Sequence, residues 1–274
     1  MLSKEERRHV YTHAHIPEHL PEYLEAVSAS EPNLQANHLY LFKGSHLTFI
    51  GYPLKKSPAT TPEVYAWLCK HLQPETAAII APEIWLPPGT YEAQPGDDYF
   101  RLDLPLGDLP QGVAYMVRRA RRELRVQEGQ FGREHKKLIT EFLAGHRLTA
   151  AQKTIYRALP GYLKRSSTAR LLEARSGGRL AAFDVVDLGA SDYAFYLFNF
   201  RSVKRRVPGA SDLLFYEMAD MAHAEGKGLL NLGLGIHPGI RHFKQKWGAH
   251  PFLPYASALV QTRPHEMGAL ARKL

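Results

Sequence analysis

Cysteine is almost missing from this sequence, with Cys69 alone among 274 residues. One thiol excludes an internal disulfide framework and fits a reducing compartment. Cys69 falls within the apolar pattern Val64, Trp67, Leu68, Leu72, which predicts a small core residue. Long apolar runs are missing too. No uninterrupted stretch approaches the ~18 residues that a membrane-spanning helix needs. The opening residues, MLSKEERRHVYTHAH, are too polar for the apolar part of a secretion signal. The expectation is a cytoplasmic protein with no transmembrane segment. Familiar site motifs are lacking as well. Neither a Cys pair nor a His-Glu-x-x-His pattern accompanies the 14 histidines. The closely spaced His9, His13, His15 and His19 therefore predict no metal site. Gly233-x-Gly235 is not a dinucleotide fingerprint: the next glycine, Gly239, comes one position late, and the acidic partner is absent. Ser211 lacks a Gly-x-Ser-x-Gly setting, which disfavours a hydrolase nucleophile. No internal repeat and no low-complexity tract is visible.

What is present is ordinary globular material. Hydrophobic residues make up 45% and charged residues 23%, enough to bury a sizeable core. At ~100–200 residues per domain, the length fits two modest domains or one large one. The formal charge of +8 favours anionic partners such as phosphates, nucleotides, RNA or an acidic membrane surface, without choosing among them.

Periodicity predicts a hairpin over 38–51, with Lys43-Gly44-Ser45 as its turn, then a helix over 62–72 and short strands over 76–81 and 99–102. Residues 112–125 read as a helix. Val113, Val117, Ala120 and Leu124 form its apolar stripe, and Arg118, Arg119, Arg121, Arg122 and Arg125 fill the rest of its circumference. Only Glu123 offsets these arginines, so they form a candidate nucleic-acid or phosphate surface. No aromatic is interleaved with them, which argues against a single-strand stacking platform. Two further helices are expected over 133–145 and 149–159. From 169 onward the order reads as three antiparallel strands, helix, strand, helix, strand, with glycines at the turns and after the main helix.

Three segments carry a family resemblance. They are Pro208-Gly209-Ala210-Ser211-Asp212 at the start of the main helix, Asn231-Leu232-Gly233-Leu234-Gly235 after the next strand, and Phe243-Lys244-Gln245-Lys246-Trp247-Gly248 before the closing strand. In that order they resemble the GNAT acyltransferase superfamily, in the subset of FemAB-type aminoacyl transferases and phosphatidylglycerol lysyltransferase C-terminal domains. The resemblance covers roughly residues 112–261. It implies an α+β, GNAT-like mixed sheet flanked by helices, in two tandem halves. Residues 1–111 would be a degenerate first half and 112–274 the transferase half. It also implies an acyltransferase that moves an acyl or aminoacyl group from acyl-CoA or aminoacyl-tRNA to an amine or hydroxyl, by direct attack in a ternary complex. The acceptor would be a small molecule, lipid or peptide, with tRNA and an anionic membrane surface as further partners. A protein using a basic groove for RNA, nucleotide or anionic lipid without catalysis is the alternative.

Such chemistry assigns candidate residues. Arg205, Arg206, Pro208, Gly209, Ala210 and Ser211 surround a helix start, where free N–H groups and the positive dipole end favour a donor phosphate. The segment lacks the second glycine of the standard coenzyme A loop, which weighs against acetyl-CoA. Asp184 alternates with Ala182 and Val186, so burial would raise its pKa and suit it to accept a proton; an edge position in solvent or an arginine partner is the competing reading. Tyr255 is a candidate general acid on the closing strand. Tyr196 and Asn199 on the central strand, with Asn231, Lys244 and Trp247, are candidates for substrate binding.

Overall fold

The computed structural model describes residues 1–262; residues 263–274, the end of the expected C-terminal half, lie outside the described residues. The chain opens with α1 (Lys4–His13), a 3-10 turn (Pro17–His19) and α2 (Pro21–Ser28). α1 starts on a capping box in which the Ser3 and Glu6 side chains each accept the other's backbone N–H. Next come β1 (Pro32–Gln35), β2 (His38–Lys43), β3 (His46–Ile50), α3 (Thr61–Leu72), β4 (Thr76–Ala81), β5 (Tyr91–Ala93) and β6 (Asp97–Asp103). After α4 (Gln111–Glu123), β7 (Arg125–Glu128), α5 (Arg133–Gly145) and α6 (Ala150–Arg165), the chain enters β8 (Ala169–Ser176), β9 (Arg179–Asp187) and β10 (Tyr193–Arg201). It closes with α7 (Ala210–Ala224), β11 (Leu229–Leu234), α8 (Pro238–Lys246) and β12 (His250–Gln261).

The order expected from residue 169 onward is present. α6 departs from expectation: it runs through Pro160 to Arg165 instead of stopping at 159. An internal proline removes one helical hydrogen bond, but Leu159 and Tyr162 are buried on either side of it, and that packing carries the helix across. The strands β1, β5 and β7, each of three or four residues, escape detection because so short a run shows no period.

Among the described residues the strands form one sheet in the order β1-β2-β3-β4-β12-β6-β11-β10-β9-β8-β7, with β5 also on β12. β12 serves both parts of the sheet. His250 to Tyr255 pair with β6, and Ala256 to Gln261 pair with β4. The change of partner follows Pro254, and the register against β6 shifts between Pro251 and Leu253. Proline has no N–H for a ladder, so both prolines favour an interruption here. β6 comes from the first 111 residues yet lies between β11 and β12, so strands interleave across the expected boundary. One face of this region packs on α4, α7 and α8 through Phe100, Leu214, Phe215, Leu230 and Trp247. The opposite face is covered by the N-terminal segment at Tyr99 and Tyr255 and by α5 and α6 at Phe183, Phe198 and Phe200.

Asp187 joins these layers from the end of β9. Fully buried, it accepts hydrogen bonds from the hydroxyls of Tyr162, Ser166 and Thr168 and from the Gly189 N–H. This clamps the end of α6 to the sheet. Asp187→Ala would strand four donors away from water, and buried orphans cost ~1–3 kcal/mol each before relaxation. The expected loss of unfolding free energy is about 3 kcal/mol or more, read from urea denaturation; an unchanged midpoint would discard the clamp.

Candidate active site

β10 and β11 are parallel but share only three residue pairs, Tyr193 to Phe195 with Leu229 to Asn231. Beyond them β10 bulges between Tyr196 and Phe198. β11 shifts its register against β6 between Asn231 and Leu234, and Gly233 there takes a φ of 70°. The two strands therefore diverge, leaving backbone groups on the separating edges that can bond a substrate.

α7 begins beside this opening, since Ser211 Oγ donates to Asn199 Oδ1 at 3.2 Å. Arg205, Arg206 and Pro208 are exposed on the preceding loop. Ala210 is buried, and its N–H already bonds the Val207 carbonyl. Gly209 has a different task. Its φ is +80°, and a Cβ there would meet the Met116 carbonyl oxygen on α4 at 2.5 Å. The glycine lets α4 and α7 close together. Gly209→Ala should lower stability by ~1–3 kcal/mol through left-handed strain and that clash. Gly44→Ala, also left-handed but with nothing near, should cost less; equal denaturation midpoints for the two variants would refute the packing role.

Beneath the helix start lies a polar cluster. Asp184 on β9 is fully buried and accepts from Asn199 Nδ2, with Tyr196 alongside. Asp212 on α7 pairs with Lys246 of α8. The competing sequence reading, an edge carboxylate in solvent or paired with arginine, is overturned: β9 lies between β8 and β10, and α7 covers it. Burial pushes the Asp184 carboxyl up to about 8, although hydrogen bonds from Asn199 and Tyr196 pull it down. Its folded pKa lies above its ordinary value of 3.8, so its stabilising contribution is complete below about pH 4 and disappears as pH rises to about 8. Asp184→Asn should therefore lose less stability than the wild type between pH 5 and 8 in paired denaturation curves. Parallel loss in both proteins would contradict the buried acid.

The two catalytic candidates do not meet. Asp184 faces α7, whereas Tyr255 packs with Tyr99 on the opposite face, their ring centroids 5.7 Å apart. Asn231 is buried and hydrogen-bonded at both ends of its amide. Its Nδ2 donates to the His15 carbonyl and its Oδ1 accepts from the Gly233 N–H, so it anchors the N-terminal segment instead of facing a substrate. Trp247 is likewise a core residue, its ring 4.7 Å from that of Phe215. Tyr196 packs edge-on against Phe215 but remains partly exposed, as does Asn199.

Lys244 stays with the opening. It is buried, and its Nζ donates to the carbonyls of Gly233 and Leu234, at 2.8 and 2.6 Å, on the diverging part of β11. Burial lowers its pKa to about 7, with Arg241 acting the same way and Asp97 opposing. A cation that is half-neutral near physiological pH, held at a strand end, can stabilise a developing oxyanion.

The sequence reading missed Glu18 in the Pro17–His19 turn. Its carboxylate accepts from Tyr99 OH at 2.8 Å and is raised by burial. The available signal was a lone acid flanked by Ile16 and Leu20, both of which prove fully buried.

On α4 the arginines separate. Arg121 bonds Glu217 at 2.7 Å and lies over the Tyr216 ring. Arg118, Arg119 and Arg122 line a shallow cavity of about 220 Å³ together with Tyr115 and Glu123. Tyr115 is 55% exposed and precedes that stripe at helical spacing, so an aromatic borders the arginines although none is interleaved with them. Arg125 is exposed at the start of β7.

No family model and no curated protein matches this sequence. Solved structures do match. FemX shares the fold with a TM-score of 0.65 at 11% identity, over 93% of this chain and 96% of that one. The C-terminal domain (DUF2156) of a putative lysylphosphatidylglycerol synthetase from Agrobacterium fabrum does so with a TM-score of 0.58 at 16% identity, over 99% and 96%. A tandem GNAT protein from the clavulanic acid biosynthesis pathway follows at 0.51 and 14%, over 83% and 79%. The fold is thus the α+β, GNAT-like mixed sheet flanked by helices, in the form shared with FemX and lysylphosphatidylglycerol synthetase.

Proposed function

We propose that this chain is an acyltransferase that moves an aminoacyl group from aminoacyl-tRNA to an amine or hydroxyl of a small-molecule, lipid or peptide acceptor. The observation that carries this reading is the divergence of β10 from β11 beside the buried Lys244. The nucleophile attacks the ester carbonyl carbon, the bond to the ribose oxygen breaks, and that oxygen leaves with a proton while the nucleophile gives one up. Positioning the two partners in line supplies much of the rate, up to ~7–11 kcal/mol. Lys244 offers positive charge to the carbonyl oxygen as it becomes an oxyanion. Tyr255, partly exposed, is the better placed of the two earlier candidates to meet a substrate; Asp184 is sealed under α7 and holds Asn199.

Acyl-CoA is the second donor reading, favoured by the exposed Arg205 and Arg206 at the start of α7. Two features weigh against it. Pro208 has no N–H to give a pyrophosphate, and Gly209 is turned against Met116. The Tyr115, Arg118, Arg119 and Arg122 stripe suits an RNA backbone with an unstacked base. We also propose that residues 1–111 and 112–274 descend from two GNAT-like halves whose strands interleave at β6 and β12.

Thermal-shift titration with charged tRNA and with coenzyme A separates the donors, since a ligand at a hundred times its dissociation constant stabilises by ~2.7 kcal/mol. A shift with tRNA alone is expected. A shift with coenzyme A alone favours the second donor, and silence with both favours a non-catalytic binding protein. Lys244→Met should cut transfer ~10²–10³-fold, the range for losing one oxyanion donor. Because Lys244 carries its charge below a pKa of about 7, kcat/KM should fall above that pH, and Lys244→Arg should move the fall upward. A profile that Lys244→Arg leaves in place would remove Lys244 from the chemistry.

A further inference from the structure

Glu18 occupies an unusual electrostatic position. It is partly reachable by solvent, yet it lies between the fully buried Ile16 and Leu20. Tyrosines surround it. Tyr99 donates to it, and the rings of Tyr52, Tyr99 and Tyr255 stand edge to face at 5.7 Å intervals. Tyr23 approaches from α2, its ring 6.4 Å from Phe198 at the bulge where β10 leaves β11. The hydroxyls of Tyr23, Tyr52, Tyr99 and Tyr255 are all raised, by burial first and then by the charge of Glu18.

No cation answers this charge. Among the described residues Glu18 takes part in none of the ion pairs, in a chain with 35 Lys and Arg against 27 Asp and Glu. Of the other buried carboxylates, Asp184 also lacks a cation and is met by the Asn199 amide, while the rest have partners. Asp212 has Lys246, Glu173 has Arg175, and Asp187 has its ring of donors. A desolvated carboxylate without a counter-charge shifts toward its neutral form, as burial shifts Glu18, and a bound cation would restore its charge. Tyrosine faces also attract cations, by ~0.5–2 kcal/mol depending on desolvation.

We propose that Glu18 and the tyrosines around it form a binding site for the primary ammonium group of a substrate. The carboxylate, which already accepts from Tyr99 and from its own backbone N–H, accepts a further bond from the ammonium, and the aromatic rings wall the cation in. Tyr23 places the site next to the opening between β10 and β11, so a bound ammonium lies within reach of the transfer centre. The proposal rests on the reading above only for which substrate carries the ammonium. Two sources fit the chemistry: the α-ammonium of an aminoacyl donor and the amine of an acceptor.

The test is calorimetric titration of the full chain with alaninamide, which imitates the donor end, and with butylamine, which imitates an acceptor amine. N-acetylalaninamide serves as the uncharged control. Saturable binding of at least one amine is expected, weakened tenfold or more in Glu18→Gln and unchanged in Glu63→Gln, whose carboxylate caps α3 at the surface. Tighter binding of alaninamide assigns the site to the donor, and tighter binding of butylamine to the acceptor. If Glu18→Gln does not fold, Tyr99→Phe removes the hydroxyl that orients the carboxylate and should weaken amine binding at least threefold. Absence of saturable binding to the wild type, equal binding by the variants, or equal binding of the acetylated control would overturn the proposal. Amine binding without transfer from charged tRNA would sink the function proposed above and spare this site; transfer indifferent to Glu18→Gln would do the reverse.

Discussion

Strand β12 pairs with β6 along its first half and with β4 along its second, and the exchange at Pro254 and Tyr255 joins the two parts of the sheet. β11, which carries the carbonyls that hold Lys244, pairs with β6 on this seam. Tyr52 donates to the Pro254 carbonyl at the exchange point, and Tyr99, the next aromatic in the stack, sits on β6. Prolines that cannot complete a ladder mark the place where the strand changes partner. The tyrosine stack on one face and the Lys244 site at the end of β11 both adjoin this seam.

The divergence of β10 and β11 is a second consequence of local geometry. A bulge adds an unmatched residue to one strand and turns it away from its partner. Here β10 bulges and β11 shifts register, so the parallel pair lasts three residues. The polar groups on either side are then used differently. Asp184, Asn199 and Ser211 secure the start of α7 to the sheet, and Asn231 secures the N-terminal segment. Lys244 remains the charged group held at the opening itself.

The buried charges divide by their partners. Asp187, Glu173 and Asp212 are each met by hydroxyls or cations, as a low-dielectric interior requires. Asp184 is met by an amide and shifts toward its neutral form instead. Lys244 is met by carbonyl dipoles that favour its charge, but burial outweighs them and brings it close to losing its proton. The two groups lie on different elements, β9 and α8, and neither shift could be assigned from spacing alone.

The order of strands and helices after residue 169 is written in the sequence, because alternation, glycine turns and helix starts are local signals. So are the three segments that resemble the FemAB-type subset and the basic face of α4, whereas alternation left Asp184 between burial and a solvent edge. The tertiary structure decided the rest. Whether Gly209 serves a phosphate or the packing of α4 depends on Met116, far away in the chain. Whether Asn231 and Trp247 face a substrate or the interior depends on His15 and Phe215. Tyr115 joins the arginine stripe only once the helix is seen to leave it exposed. Glu18, one acid in a short polar turn, gains its meaning from tyrosines at positions 23, 52, 99 and 255. Local periodicity specifies which face of an element is buried, whereas the groups that meet on that face come from distant residues brought together by the folded sheet.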